Sequence, residues 1–397
     1  MRIAVLTSLY PSAPLPLEGV FAERRWLGMA ARGHTIRIVQ PTARAPLGAV
    51  GARLGPLLGR PQWRDVANRP ARELRGGIEI ERPRYIHVPG LSLRNARAFA
   101  RQGVRNILAH GRPEAVVCDY AWPAAAAAPL LARQGVPVLV SGRGSGVLQV
   151  AQIPALAEEL SRCLRTAGHW IGVSRDLVQS MDRLGQTPDH GVLVPNGVDL
   201  ELFHIRDRGG AREELGLGAE QPLVLVVGHL IERKDPELAL RAFLAGAPAN
   251  ALLTFVGRGP LEARLRELAR ACGQDARVRF VGELEPQELA CWYAASDAML
   301  LTSSREGRPN VVLEALASGR AVVATDAGGT AELLEGWPDA VDGDRDPAVI
   351  GARLARVLAH PTPPEELRAR VADLSWDASL RTLEGCIARL LKAHSRS

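Results

Sequence analysis

The sequence predicts an α/β protein built from two doubly wound, mostly parallel sheets, and three observations carry that expectation. At 397 residues the chain exceeds what one hydrophobic core usually serves. Short apolar runs alternate with longer helical stretches, the pattern of βαβ units. The alternation occurs in both halves, and the boundary falls near Asn196 to Asp207, after the run ending at Val194.

In the first half the expected strands are Ile3–Leu6, Thr35–Val39, Ala115–Cys118, Val136–Val140 and His169–Val173. They are rich in Val, Ile and Leu with little polar alternation, as strands buried on both faces require. Ala124–Ala128 reads as a closely packed helical segment. Pro41 to Arg97, rich in Gly, Pro and Arg without clear periodicity, is expected to leave the sheet as a long, partly mobile excursion. The second half repeats the theme at Leu223–Val227, Leu252–Val256, Val278–Val281, Ala298–Leu301 and Ala321–Ala324. Trp376 and the amphipathic Leu380–Leu391 stretch form a last helix. The expected domains are 1–198 and 199–375, with 376–397 as a terminal helix.

Composition narrows the class. Hydrophobic content of 47% with 23% charged residues describes a globular protein, and no run reaches the ~18–20 apolar residues of a membrane span. Met1–Leu9 is apolar but ends at Tyr10-Pro11, and reads as a first strand and not as a signal peptide. Five scattered cysteines without C-x-x-C spacing suit reduced thiols in a cytoplasmic protein. Residues 1–199 carry 25 basic and 14 acidic side chains, and Arg44 to Arg112 hold 14 arginines against 4 acids. An arginine-rich genome explains this as well as a basic face for anionic lipid head groups does. Nucleic acid is not expected, because aromatics are only 4% and no recognition motif accompanies the arginines.

The most informative stretch is Glu306-Gly307-Arg308-Pro309-Asn310-Val311-Val312-Leu313-Glu314, two carboxylates eight positions apart across a strand-to-helix junction. Pro309 suits a first helical position, with helix continuing from Val311 to Ser318. That leaves Glu306 on the loop and Glu314 in the second turn, with free N–H groups near Pro309 to Val312 to meet an anion. A carboxylate accepts two hydrogen bonds at once, which suits the vicinal hydroxyls of a sugar. The outline is that of a sugar-nucleotide site. Lys234, one of only two lysines, stands in a strand-end loop just after Gly228-His229-Leu230 and ahead of a helix opening near Pro236.

These stretches resemble the retaining glycosyltransferases of family 4, which have the GT-B fold of two Rossmann-like domains facing across a cleft. Further along the same pattern lie Tyr10-Pro11 to Phe21, Arg143-Gly144-Ser145, Val194-Pro195-Asn196-Gly197-Val198-Asp199, Val256-Gly257-Arg258-Gly259-Pro260-Leu261, Phe280-Val281-Gly282 and Asp326-Ala327-Gly328-Gly329. The resemblance covers nearly the whole chain and is nearest to bacterial members that build surface polysaccharide. It implies a nucleoside-diphosphate hexose donor, UDP- or GDP-linked, a hydroxyl acceptor such as a lipid-linked glycan, and no metal or other cofactor. It also implies a cytoplasmic protein, peripheral on the inner membrane face, whose last helix crosses back onto the first domain.

By the same resemblance Lys234 and Arg233 would hold the diphosphate, Glu306 the donor hexose, and Glu314 the ribose. The backbone of Gly307, Arg308, Pro309, Asn310 and Val311 would meet sugar and phosphates. Arg258, Gly259, Glu283 and Leu284 would line the base pocket, and Gly19 would offer its N–H to phosphate. Two departures stand out. His229 occupies the place of an arginine, and Arg143-Gly144-Ser145-Gly146 stands where many relatives have His-Gly-x-Asp. Arg143 is still expected at the donor, and Asp119 on the acceptor side or as a helix cap. Asp342-Gly343-Asp344 matches a metal-binding D-x-D but reads as a surface turn. No G-x-G-x-x-G follows the first strand and no G-x-S-x-G is present, so neither a dinucleotide oxidoreductase nor a hydrolase triad is indicated. Two alternatives stay open: an inactive nucleotide-sugar-binding subunit of a polysaccharide assembly complex, and a nucleotide-sugar epimerase on the same fold.

Overall fold

The computed structural model describes residues 1–16, 18–44, 66, 68–337, 341–343 and 345–395. The chain divides into two compact units, Asn196–Ala378 and the remainder, Met1–Pro195 with the stretch from Ser379 onward.

The first unit is built on β1 (Arg2–Thr7), β2 (Thr35–Val39), β3 (Thr42–Ala43), β4 (Arg72–Arg75), β5 (Ile78–Glu81), β6 (Arg84–Tyr85), β7 (Ala115–Asp119), β8 (Val138–Gly142), β9 (Trp170–Gly172) and β10 (Val192–Leu193). Eight of them form one sheet in the order β10-β9-β8-β7-β1-β2-β5-β4, while β3 and β6 pair separately. Every described pairing in the large sheet is parallel except β4 with β5. Alternate residues of β1 enter different cores, Ile3 and Val5 on one face and Ala4 and Leu6 on the other. Burial on both faces explains why these strands read as unbroken apolar runs. The helix Trp376–His394 supplies Leu380, Leu383, Ile387 and Leu390 to the core that holds Trp26 and Met29. Each such side chain contributes about 1.5–3 kcal/mol on burial.

The expected excursion over Pro41–Arg97 is corrected in part. Inside it, β5 joins β2 in parallel, Ile38 opposite Ile80, and β4 caps the sheet edge. Ile78 and Ile80 are buried while Glu79 is exposed, a partial period-two signal that the buried Glu81 breaks. Residues 45–65 and 67 of that stretch lie outside the described residues. β8 begins two residues later than expected, past Pro137, and Ala124–Ala127 form a tighter 3-10 turn before the helix Ala128–Ala132.

The second unit carries β11 (Leu223–Val227), β12 (Leu252–Val256), β13 (Val278–Gly282), β14 (Ala298–Leu301), β15 (Ala321–Thr325) and β16 (Val341–Asp342), all parallel, in the order β13-β12-β11-β14-β15-β16. Chain order reverses beside β11, whose neighbours are β12 on one side and β14 on the other. A doubly wound sheet opens a crevice at such a point, outside the carboxyl ends of its strands.

Candidate functional site

Lys234 and Glu306 meet at that reversal. Lys234 ends a short 3-10 turn, Glu232–Lys234, in the loop after β11, and Glu306 lies in the loop after β14. Lys234 Nζ donates to Glu306 Oε1 at 2.5 Å, Ser303 Oγ donates to the same oxygen at 2.6 Å, and an Arg233 guanidinium nitrogen lies 3.2 Å from Oε2. Glu306 is buried. Burial alone would raise its pKa, but Lys234, Ser303 and Arg233 outweigh that and hold it below the usual carboxylate value. The two loops are also joined through backbone, since Ser304 N–H donates to the Arg233 carbonyl at 2.8 Å and Thr302 Oγ1 to the Asp235 carbonyl at 2.8 Å. Asp235 caps the helix Pro236–Gly246 from a left-handed conformation, φ 44°, which turns the chain sharply after Lys234.

The signature helix starts one residue later than the sequence suggests. Pro309 is its extended N-cap and the helix is Asn310–Ala317. The Val312 N–H is bonded to the Pro309 carbonyl at 3.2 Å, which corrects the expectation that it is free to meet an anion. Pro309 is the N-cap, and an N-cap carbonyl is the first acceptor of its helix. Glu314 sits in the second turn, half-buried, 3.4 Å from the Tyr293 hydroxyl. That hydroxyl also donates to the Val311 carbonyl at 3.2 Å, and burial first, then Glu314, pushes its pKa well up. Arg308 is held by Glu332 at 2.7 Å. Gly307 is partly exposed, and the Asn310 side chain accepts from Asn196 Nδ2 at 3.1 Å.

The loops after β11, β12 and β13 pack backbone on backbone. Gly228 N–H donates to the Val256 carbonyl at 2.9 Å and Leu230 N–H to the Arg258 carbonyl at 2.9 Å. Gly257 is required here, because a Cβ would lie 2.2 Å from the Gly228 oxygen and φ is +126°. His229, Arg258 and Glu283 are exposed at this edge, and Leu284 is half-buried against the core. Among the described residues no group of three or more His, Cys, Asp and Glu is placed to hold a metal ion. Asp344 of the D-x-D sequence lies outside the described residues.

In the first unit β1 and β7 end side by side, with Thr7 opposite Asp119, at that sheet's own reversal of strand order. Gly19, φ +74°, precedes the helix Val20–Ala31 and rests on the Leu9–Tyr10 backbone. Asp119 is fully buried and takes the Arg143 guanidinium on both oxygens, Nε at 2.8 Å and a terminal nitrogen at 3.2 Å. Trp26 Nε1 donates to it at 3.1 Å. Burial would raise the Asp119 pKa, yet Arg143, Arg25 and Trp26 bring it down to about 2. Arg143 is thus committed to Asp119 and packs over the Tyr120 ring at 5.2 Å. The next two residues are strained, Tyr120 at φ 67° and Ala121 at φ 46°. A Cβ on Gly146 would lie 2.0 Å from the Tyr120 carbonyl oxygen. The glycine found in place of an aspartate therefore has a steric cause: the turn after β7 occupies the space.

Residues 207–373 match the family model described as glycosyl transferases group 1, and residues 27–202 match that described as glycosyltransferase family 4. TuaC of Bacillus subtilis (strain 168), named for teichuronic acid biosynthesis, is 28% identical over 342 residues, 84% of this chain and 83% of that one. A D-inositol 3-phosphate glycosyltransferase of Frankia alni is 31% identical over 295 residues, 67% of this chain and 72% of its own length. The chain is a GT-B glycosyltransferase. Its fold matches sucrose-phosphate synthase from Thermosynechococcus elongatus with a TM-score of 0.78 at 22% identity, covering 99% of this chain and 100% of that one. It also matches Anabaena HepE, solved with UDP, at 0.72 and 17% identity over 98% and 100%.

Within this glycosyltransferase the structure brings together Lys234, Arg233 and Glu306, and separately sets Glu314 beneath Tyr293. Gly19 and Arg143 belong to the other unit and are described there alone. Sequence reasoning missed the supporting residues. Ser303 stands three positions before Glu306 and was legible as a donor at that spacing. Tyr293, Glu332 and Trp26 had no local signal, because each reaches its partner from a distant element.

Proposed function

We propose that this glycosyltransferase moves a hexose from a nucleoside-diphosphate sugar to a hydroxyl acceptor with retention of configuration, in surface polysaccharide or glycolipid assembly. The observation that carries the reading is the Lys234–Glu306 contact at the strand reversal of the second unit. The buried Glu306 carboxylate holds the Lys234 side chain in place, and a diphosphate would draw on the remaining donors of Lys234 and on Arg233. Cationic side chains then stabilise the charge that builds on the leaving group, the part a metal plays elsewhere. The acceptor oxygen bonds to the anomeric carbon as the bond to the diphosphate breaks. The acceptor's proton passes to the departing phosphate, so no side-chain base is needed. Glu314 would accept from the ribose hydroxyls, with Tyr293 fixing its position.

HepE is described in complex with UDP, and TuaC is named for a polysaccharide. Those names favour a uridine-linked donor and an acceptor that belongs to a polysaccharide. The test is a panel of UDP-, GDP- and ADP-sugars scored by thermal stabilisation and by nucleoside diphosphate release with lipid-linked acceptors, with chelator present. Stabilisation by one donor class and chelator-resistant release support the reading. Release that disappears with chelator, or an isomerised donor without release, overturns it.

A further inference from the structure

We propose that Arg345 is a positioning residue for the diphosphate site, holding the loop that carries Lys234 and the loop that carries Glu306 at their working separation. The proposal rests on the diphosphate reading given above. Arg345 directly follows Asp342-Gly343-Asp344, a stretch with no part in the site described so far. Its guanidinium reaches three groups on two other loops. One terminal nitrogen donates to the Ser303 carbonyl at 2.9 Å and to the Thr302 carbonyl at 3.2 Å, both after β14, and the other pairs with the Asp235 carboxylate after β11. Asp235 and Ser303 each stand one step from the Lys234–Glu306 pair. Asp235 is the residue after Lys234, and the Ser303 hydroxyl donates to Glu306 at 2.6 Å.

The arginine is anchored for that task. The next residue, Asp346, caps the helix Pro347–Ala359 by accepting from the Ala348 N–H at 2.8 Å. That helix packs backbone on backbone against Pro236–Gly246, the helix that Asp235 caps, since a Cβ on Gly246 would lie 1.8 Å from the Gly351 carbonyl oxygen. Asp235 divides its carboxylate, one oxygen accepting from the Leu238 N–H at 3.3 Å and the other from Arg345. Asp235 and Arg345 both hold positive φ, 44° and 57°, which residues with side chains keep only where the surroundings dictate it. The rigid guanidinium fork can meet a carboxylate and two carbonyls at once, where a lysine would bring a single point of charge. The two side chains are 32% and 35% exposed, so their ion pair adds little to stability. Without it the loops stay joined by the Thr302 hydroxyl on the Asp235 carbonyl and the Ser304 N–H on the Arg233 carbonyl. Arg345 therefore aims the two loops, while other bonds keep them together.

Affinity for a nucleoside diphosphate relative to its monophosphate reads that aim directly, without turnover. The full chain is titrated calorimetrically with UDP and UMP, GDP and GMP, and ADP and AMP. For the base that binds, the parent should prefer the diphosphate, and Arg345→Ala should lose about tenfold of that preference, the scale of one charge-assisted hydrogen bond. Its monophosphate affinity and thermal midpoint should match the parent, which a merely structural loss would not spare. Arg345→Lys should lose nearly as much as Arg345→Ala, since charge without the fork does not bridge two loops. Added to Lys234→Ala, the Arg345→Ala change should alter the preference little, because the arginine acts through the lysine. An unchanged preference in Arg345→Ala, full retention by Arg345→Lys, additive losses in the double variant, or equal weakening of both nucleotides would each overturn the proposal. A parent that binds diphosphate no better than monophosphate would instead overturn the diphosphate reading itself, so the two failures are told apart.

Discussion

Replacing Lys234 by alanine separates the structural from the catalytic part of the Lys234–Glu306 contact. In the parent the Glu306 carboxylate is buried, with Lys234 at 2.5 Å, Ser303 at 2.6 Å and Arg233 at 3.2 Å. Removing one partner of a buried pair costs about 3–5 kcal/mol when nothing else compensates. Here Ser303 and Arg233 stay, and the Lys234 side chain is itself 17% exposed, so a loss of about 2 kcal/mol is expected near neutral pH. The pH dependence has a definite sign. The parent Glu306 has a lowered folded pKa, so its contribution is present above the unfolded value and lost as pH falls through the folded one. In the variant burial is less opposed, the carboxyl protonates more readily, and the stability gap should narrow on acidification toward pH ~4. Urea unfolding at several pH values measures the gap. Turnover should fall on the order of 100- to 1,000-fold, the scale of losing one preorganised donor to developing charge. A gap independent of pH would refute the electrostatic reasoning, and unchanged turnover would remove Lys234 from the diphosphate site.

Other outcomes follow from the same contacts. Gly146→Ala should destabilise by about 1–3 kcal/mol, since the new Cβ would lie 2.0 Å from the Tyr120 oxygen; Gly146→Asp, which brings in the residue of related sequences, should be worse. Calorimetry distinguishes this from a neutral glycine. Asp119→Asn leaves the Arg143 guanidinium buried without its counter-charge and should cost about 3–5 kcal/mol. Because the parent Asp119 titrates at about 2, its contribution should persist at mildly acid pH and be lost only as pH drops from about 4 toward 2. His229→Arg places a permanent cation on the exposed edge beside the Lys234 loop, and should lower the donor KM without changing the unfolding midpoint.

Much of the fold was legible because burial on both faces leaves a plain mark. Leu223–Val227 and Leu252–Val256 stand at the residues expected, since strands sealed between two cores have no polar positions to blur their ends. The edge strand β4 and its neighbour β5 were hidden for the converse reason. Near the sheet margin charged residues are tolerated, so β4 reads as Arg-Glu-Leu-Arg and β5 keeps only Ile78 and Ile80 as apolar signal, alternating with Glu79 and Glu81. At the candidate site, Lys234 and Glu306 were visible as residue types in strand-end loops, but their mutual contact depended on β11 and β14 being neighbours, which is topology. Gly146 shows the limit clearly. As sequence it was an unexplained departure; its cause is a carbonyl 26 positions away, brought close by the strained turn after β7.

The most direct measurement is release of nucleoside diphosphate from a donor-sugar panel by the parent and by Glu306→Gln, each with chelator present and an acceptor extract supplied. Release from one donor class by the parent, undiminished by chelator and lost in the variant despite normal unfolding, is the expected result. A chelator that abolishes release, or a variant as active as the parent, would contradict a site in which Lys234 and Glu306 manage the diphosphate without a metal.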